Sequence, residues 1–286
     1  MGAVRRRFFE DEPKRPSPES AELAGARAVP VELPSEVNPR LPSLFQPASF
    51  AAEQYRGLRH VVEQIRKSAG ISVFAVSSPT VHDGKTTTAI NLAGALAQAA
   101  DRQVLLVEAD LRRPSLLDHL ALRGGGGPGL TGLIARSDLV LEQTVRRLVP
   151  FNLDVLPAGY IPSTPYDVLE SPRLAEVLER SRRQYDFVIV DTPPILPVLD
   201  CRVIEKLVDG FLVVVAAHRT SRQQLGEALT ILDPTKTLGI IFNWDDGAVS
   251  GYRSAYGQPD RARWWRRRQR GAETPDPWVL DREGTS

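Results

Sequence analysis

The chain has a single cysteine, Cys201, in 286 residues, which excludes an intrachain disulfide framework and fits a reducing compartment. It has no apolar run of about eighteen residues, and its start, "MGAVRRRFFE", lacks the apolar h-region of a secretory signal. Neither a membrane-spanning helix nor a signal peptide is therefore expected, and the chain reads as soluble. It also lacks an excess of charge. Its 36 basic and 35 acidic side chains leave a formal net charge of +1, which argues against a strongly basic nucleic-acid binder and makes local clusters the informative feature. Core pattern is scarce at both ends: residues 1–47, rich in proline, read as a flexible arm, and residues 248–286 as a flexible tail.

Between the arms lies an α/β alternation. Short apolar runs rich in β-branched residues stand at 71–76, 104–107, 153–156, 187–190, 211–216 and 238–242, and helix-like segments fall at about 86–99, 172–183, 200–207 and 221–231. Such alternation predicts a mostly parallel sheet covered by helices on both faces. Ligands of these sheets bind beyond the carboxyl ends of the strands. The glycine-rich "GGGGPG" at 124–129 reads as a turning loop.

Chemistry concentrates at three predicted strand ends. After the first strand comes "SSPTVHDGKTTTAINL", in which Gly84, Lys85 and Thr86 match the distal half of a phosphate-binding loop while Pro79 stands in place of its first glycine. The physical elements remain: backbone N–H groups at a helix start, a lysine able to reach β and γ phosphates, and a hydroxyl able to ligate Mg²⁺. His82 reads either as a nucleotide contact or as a solvent-facing loop residue. "VLLVEADLRRP" sets Glu108 and Asp110 at the end of the second strand, and "FVIVDTPP" sets Asp191 at the end of a third. Carboxylates brought to the same edge as Lys85 predict a metal and phosphoryl-transfer site; each alone would equally suit a helix cap.

Taken together, residues 48–257 resemble the bacterial tyrosine kinases, the autokinases of capsule and exopolysaccharide synthesis related to the MinD and ParA P-loop ATPases. The resemblance rests on the loop with Lys85 and Thr86, on "LLVEADLR" as a second acidic motif, on "VIVDTPP", and on "LPAGYIPSTPYDVLESPRL", "TSRQQLGEALTIL" and "LGIIFN". It implies an α/β P-loop NTPase fold over 48–247, with ATP and Mg²⁺ as cofactors. It also implies nucleotide contacts from Asp83, Gly84, Lys85, Thr86, Thr87 and Asn243, metal ligation by Thr86, Asp110 and Asp191, and activation of a tyrosyl hydroxyl by Glu108. Two departures stand out: the family usually has glycine at His82 and aspartate at Glu108, where the longer side chain displaces the carboxylate. Lysine is also absent at Thr80, where the partition ATPases carry one.

Further expectations follow from the same resemblance. Glu53, Arg56 and Arg59 match an E-x-x-R-x-x-R pattern that mediates self-association, on a helix whose Tyr55, Leu58, Val62 and Ile65 share one face. Tyr252 and Tyr256 are the expected autophosphorylation sites, in a neighbouring subunit. By residue chemistry alone, the Arg261–Arg270 cluster with Trp264 and Trp265 would suit anionic lipid headgroups; the resemblance implies a membrane polysaccharide co-polymerase as activator. The expected location is cytoplasmic, peripheral at the inner face of the cell membrane. The alternatives are a weak ATPase assembly switch and a non-catalytic nucleotide-bound scaffold.

Overall fold

A computed structural model describes residues 28–33, 38–99, 101–122 and 127–245. In chain order the elements are β1 (Val29–Glu32), α1 (Pro42–Phe45), α2 (Phe50–Ala69), β2 (Val73–Ser77), α3 (Lys85–Ala97), β3 (Val104–Glu108), α4 (Leu116–His119), α5 (Gly129–Ala135) and α6 (Leu141–Thr144). They continue with β4 (Arg146–Val149), β5 (Leu153–Leu156), α7 (Pro165–Glu170), α8 (Pro172–Gln184), β6 (Phe187–Asp191), α9 (Asp200–Glu205), β7 (Gly210–Ala216), α10 (Arg222–Ile231), a 3₁₀ turn at Pro234–Lys236 and β8 (Thr237–Asn243). By Cα packing the described residues up to Asn243 belong to one unit. Tyr252, Tyr256 and the Arg261–Arg270 cluster lie outside the described residues.

Among the described residues the strands form one sheet in the order β1-β4-β5-β3-β6-β2-β7-β8. The strands from β5 to β8 in that order run parallel, whereas β4 is antiparallel to β5 and carries β1 parallel to itself. Continuous apolar runs suit such a sheet because both of its faces are covered. Alternate residues feed two cores: Val73 and Ala75 of β2 pack on one face, Phe74 and Val76 on the other. Helix starts follow local chemistry. Ser49 caps α2 through the Ala52 amide, Ser171 caps α8 ahead of Pro172, and Ser221 with Gln224 makes a capping box on α10. Gly70 ends α2 in the left-handed region at φ 70°, which glycine adopts without a Cβ clash.

The sequence reading needs correction at the amino-terminal side. Residues 28–33 and 38–47 were expected in a flexible arm, yet Val29–Glu32 pairs with β4 and Leu41 and Leu44 are buried. The reason is close packing: the Ser43 amide donates to Asn91 Oδ1 at 3.0 Å, and Gly94 of α3 admits the Leu44 side chain where a Cβ would lie 2.8 Å from it. The amphipathic helix falls where expected, with Val62 buried and Leu58 and Ile65 packed against the same core.

Below the sheet's amino ends, Asp209 accepts from the Ser72 and Val73 amides and from Arg182 at 2.8–2.9 Å. Burial alone would raise its carboxyl pKa, but Arg182 and the two amides hold it below the ordinary value. A depressed native pKa stabilises the fold above the unfolded value and ceases to do so as pH falls through the native one. Asp209→Asn is thus expected to lower the unfolding free energy by about 1–3 kcal/mol at pH 7, with the gap closing below about pH 4. Urea titrations of both proteins across pH measure it; a gap that persists in acid would reject the charge-based account.

Candidate functional site

Parallel pairing brings the carboxyl ends of β2, β3 and β6 side by side, with Glu108 opposite Asp191 and Asp191 opposite Val76. From β2 the chain turns through residues 78–84 into α3. Gly84 precedes the helix at φ 97°, a conformation open to glycine, and the first amides of α3 face outward as an anion site. Where the first glycine of a strict phosphate loop is missing, Ser78 and Pro79 instead receive the amides of Ile195 and Leu196 at 2.8 and 3.2 Å. The loop is thereby tied to the segment after β6.

Lys85, Thr86, Asp110 and Asp191 converge. Lys85 Nζ donates to Asp110 Oδ2 at 2.8 Å and to Thr86 Oγ1 at 3.3 Å, and lies 3.8 Å from Asp191 Oδ1. Thr86 Oγ1 donates to Asp191 Oδ2 at 2.7 Å. Burial lowers the Lys85 pKa, but Asp191 and Asp110 more than reverse this and leave it raised. Burial pushes Asp191 up to about 6 despite Lys85 and Thr86. Its Oδ1 is buried without a hydrogen-bond partner, an oxygen left for a ligand. Among the described residues no three His, Cys, Asp or Glu side chains form a self-sufficient metal site. The hydroxyl and carboxylate oxygens of Thr86, Asp110 and Asp191 suit a hard cation that completes its shell with phosphate and water, as Mg²⁺ does.

A cavity of about 540 Å³ opens at this cluster, lined also by His82, Arg112, Ser115, His119, Pro194 and Val198. Arg112 is fixed by a two-pronged pair with the fully buried Asp200, both contacts at 2.9 Å. Sequence pattern assigns no role to Arg112 or to the Pro-Pro step; their place in the cavity wall is set by long-range packing.

Other expected residues are placed differently. The Asp83 carboxylate receives the Thr80 amide at 2.9 Å and the Thr80 and Thr220 hydroxyls, and is buried inside the loop. It braces the loop's curvature. Asn243 donates to the Asp83 carbonyl at 3.0 Å, so its amide holds the loop from β8. Glu108 turns away from the cavity: one oxygen accepts from the Ser115 and Leu116 amides at 2.5 and 2.6 Å, the other from the Ala158 amide at 3.0 Å. Its expected role in activating a hydroxyl is corrected to a structural one, because the buried carboxylate spends both oxygens on amides at the start of α4 and just past β5. Thr87 lines the cavity beside Lys85. On α2, Arg56 pairs with Glu53 and donates to the Pro47 carbonyl, while Arg59 donates to the Ala95 carbonyl at 3.2 Å.

His82 lies exposed at φ 66°, which explains why glycine suits this position: side chains crowd the backbone in the left-handed region. His82→Gly is expected to raise the unfolding free energy by about 0.5–1 kcal/mol. Denaturant melts test this; a fall would show that the imidazole itself secures the loop.

Strand, phosphate loop, helix and two acidic strand ends on a parallel sheet define a P-loop NTPase. A family model described as an AAA domain matches residues 82–237. Tyrosine-protein kinase YwqD of Bacillus subtilis (strain 168) is 34% identical over 217 residues, covering 75% of this chain and 89% of its own. Tyrosine-protein kinase ptk of Acinetobacter johnsonii is 32% identical over 205 residues, 71% of this chain but 27% of that longer one. Among solved structures, the kinase domain of Escherichia coli tyrosine kinase ETK superposes with a TM-score of 0.67 at 25% identity, covering 80% of this chain and 94% of that one. The chain belongs to the bacterial tyrosine-kinase family of P-loop proteins. Among the described residues no helix is long and apolar enough to cross a membrane.

Proposed function

We propose that the site transfers the γ-phosphoryl group of ATP to tyrosine, chiefly to Tyr252 or Tyr256 of a neighbouring copy, in the service of exopolysaccharide or capsule synthesis. The observation that carries this reading is the convergence of Lys85, Thr86, Asp110 and Asp191, the first three of which line an open cavity. Lys85 and the α3 amides would hold the phosphates, and Thr86 with Asp110 and Asp191 would hold Mg²⁺, which when bound neutralises charge on the phosphate oxygens. Arg112 and the proline-lined wall narrow the approach of an acceptor and shed water from it. Loss of Glu108 as a base is tolerable in this chemistry: phosphoryl transfer passes through a loose transition state and depends mainly on positioning and electrostatics. Association through Glu53, Arg56 and Arg59, activation by a membrane polysaccharide co-polymerase, and location at the inner membrane face complete the proposal.

The commitment of Glu108 to three amides favours a second reading, a slow ATPase switch. Freshly dephosphorylated wild type, Lys85→Ala and Tyr252→Phe/Tyr256→Phe, incubated with Mg-ATP, separate the two. Mass spectrometry is expected to find phosphotyrosine only where Lys85 is present. Lys85-dependent phosphate release without any phosphotyrosine would select the switch.

A further inference from the structure

The described tyrosines differ in what their hydroxyls do. Tyr185 donates to Asp154 at 2.8 Å, the Tyr55 hydroxyl sits where burial raises its pKa, beside Thr88 and Asn91, and Tyr166 packs against the core. Tyr160 is different: 62% of its surface is exposed, and 66% of that of its neighbour Ile161. Both follow β5, whose carboxyl end lies at the same sheet edge as Glu108 because β5 runs parallel to β3.

The base of this segment is rigid. The Ala158 amide is held by the buried Glu108 carboxylate at 3.0 Å, and the Ala158 carbonyl receives both the amide and the hydroxyl of Thr131 at 2.9 and 2.8 Å. Gly159, at φ 81°, sits against the Pro128 carbonyl so closely that a Cβ would lie 2.0 Å from it. A hydroxyl raised on such a pedestal is presented outward with little ordering cost on docking, which favours a productive encounter. Ile161 adds an apolar handle beside it, and Pro162 holds the segment extended.

We propose that Tyr160 is a phosphoacceptor, modified in trans by the P-loop site of a second copy of this chain; the inference rests on the kinase reading above. Action within one copy is disfavoured by the sheet order, in which β3 and β6 separate β5 from β2, roughly 14 Å at the usual strand spacing. Tyr160 is also absent from the cavity wall. In the step, Tyr160 Oη bonds to the γ-phosphorus of ATP as the bond from that phosphorus to the β,γ-bridging oxygen breaks. ADP leaves with the electron pair, and the phenolic proton passes to water. The product dianion would stand within electrostatic reach of Arg136, where it competes with Asp138, now paired to Arg136 at 2.6 Å.

Phosphopeptide mapping of the full chain with ATP and Mg²⁺ tests this, in wild type and in Tyr252→Phe/Tyr256→Phe. Label at Tyr160 in both, lost in Tyr160→Phe and in Lys85→Ala, is the expected result. A mixture of Lys85→Ala with active Tyr160→Phe should label Tyr160 of the former; no label there overturns transfer in trans. Phosphotyrosine at other positions with none at Tyr160 overturns the site and leaves the kinase reading standing. No phosphotyrosine at any position removes both.

Discussion

Lys85→Met is expected to reduce phosphotyrosine formation by about 10³-fold, measured in single turnover with saturating Mg-ATP. The substitution keeps the stem and removes the ammonium, which in the structure lies 2.8 Å from Asp110 and 3.8 Å from Asp191. Two effects add. The phosphates lose a fixed positive charge in a poorly hydrated place, where it is worth far more than in water. The carboxylates also lose the cation that offsets their mutual repulsion, which holds the Asp191 pKa down against burial. Lys85→Arg restores charge but brings a wider planar fork into a position where the lysine side chain is 12% exposed, and recovery is expected to be partial. Undiminished transfer in Lys85→Met would show that the phosphate loop is not the catalytic centre.

Gly159→Ala is expected to cost more stability than any surface change, about 3 kcal/mol or more, seen as a fall in melting temperature of roughly 6–12 °C. The new Cβ would lie 2.0 Å from the Pro128 oxygen, 2.7 Å from its carbon and 3.0 Å from the Gly129 Cα. All three are backbone atoms. Neither side can withdraw easily, because the Leu130 and Thr131 amides bind the Pro157 and Ala158 carbonyls at 2.8 and 2.9 Å. The conformation adds its own strain, since φ is 81°. Gly129→Ala strikes the same contact from the other side, at 2.4 Å from the Gly159 nitrogen, so the double variant should lose less than the sum. A melting temperature within a degree of wild type would mean that this junction opens freely.

The central strands were legible because burial on both faces demands unbroken apolar runs, and those runs have no competing periodicity. The outer part of the sheet was not. Val29–Glu32 contains a proline, and Arg146–Val149 begins with two arginines, one of which pairs with the buried Asp154; polar residues neutralised across strands hide a strand from a hydrophobicity reading. Pro42–Phe45 is too short to show a helical period, and only its fit to Gly94 reveals it as core. At the site, Lys85, Thr86, Asp110 and Asp191 followed from residue type at strand ends. The direction of Glu108 did not, because tertiary packing sets which amides it holds: those of Ser115 and Leu116, a short way along the chain, and that of Ala158, far beyond. Asn243 was expected as a nucleotide contact; in the structure its amide donates to the Asp83 carbonyl.

Cys201 sits beneath the β6 end, fully buried, its sulfur 3.3 Å from the Pro193 carbonyl, and burial pushes its thiol up to about 11. A thiol so placed is almost entirely protonated at neutral pH and closed to reagents, so alkylation must wait for the surrounding structure to open. As the sole cysteine of the sequence, it gives an unambiguous clock. Its alkylation rate, compared with that of an unfolded control, reads the opening free energy directly beneath Thr192 and Pro193, and the slowing caused by an added nucleotide reads how strongly occupancy locks the floor of the site.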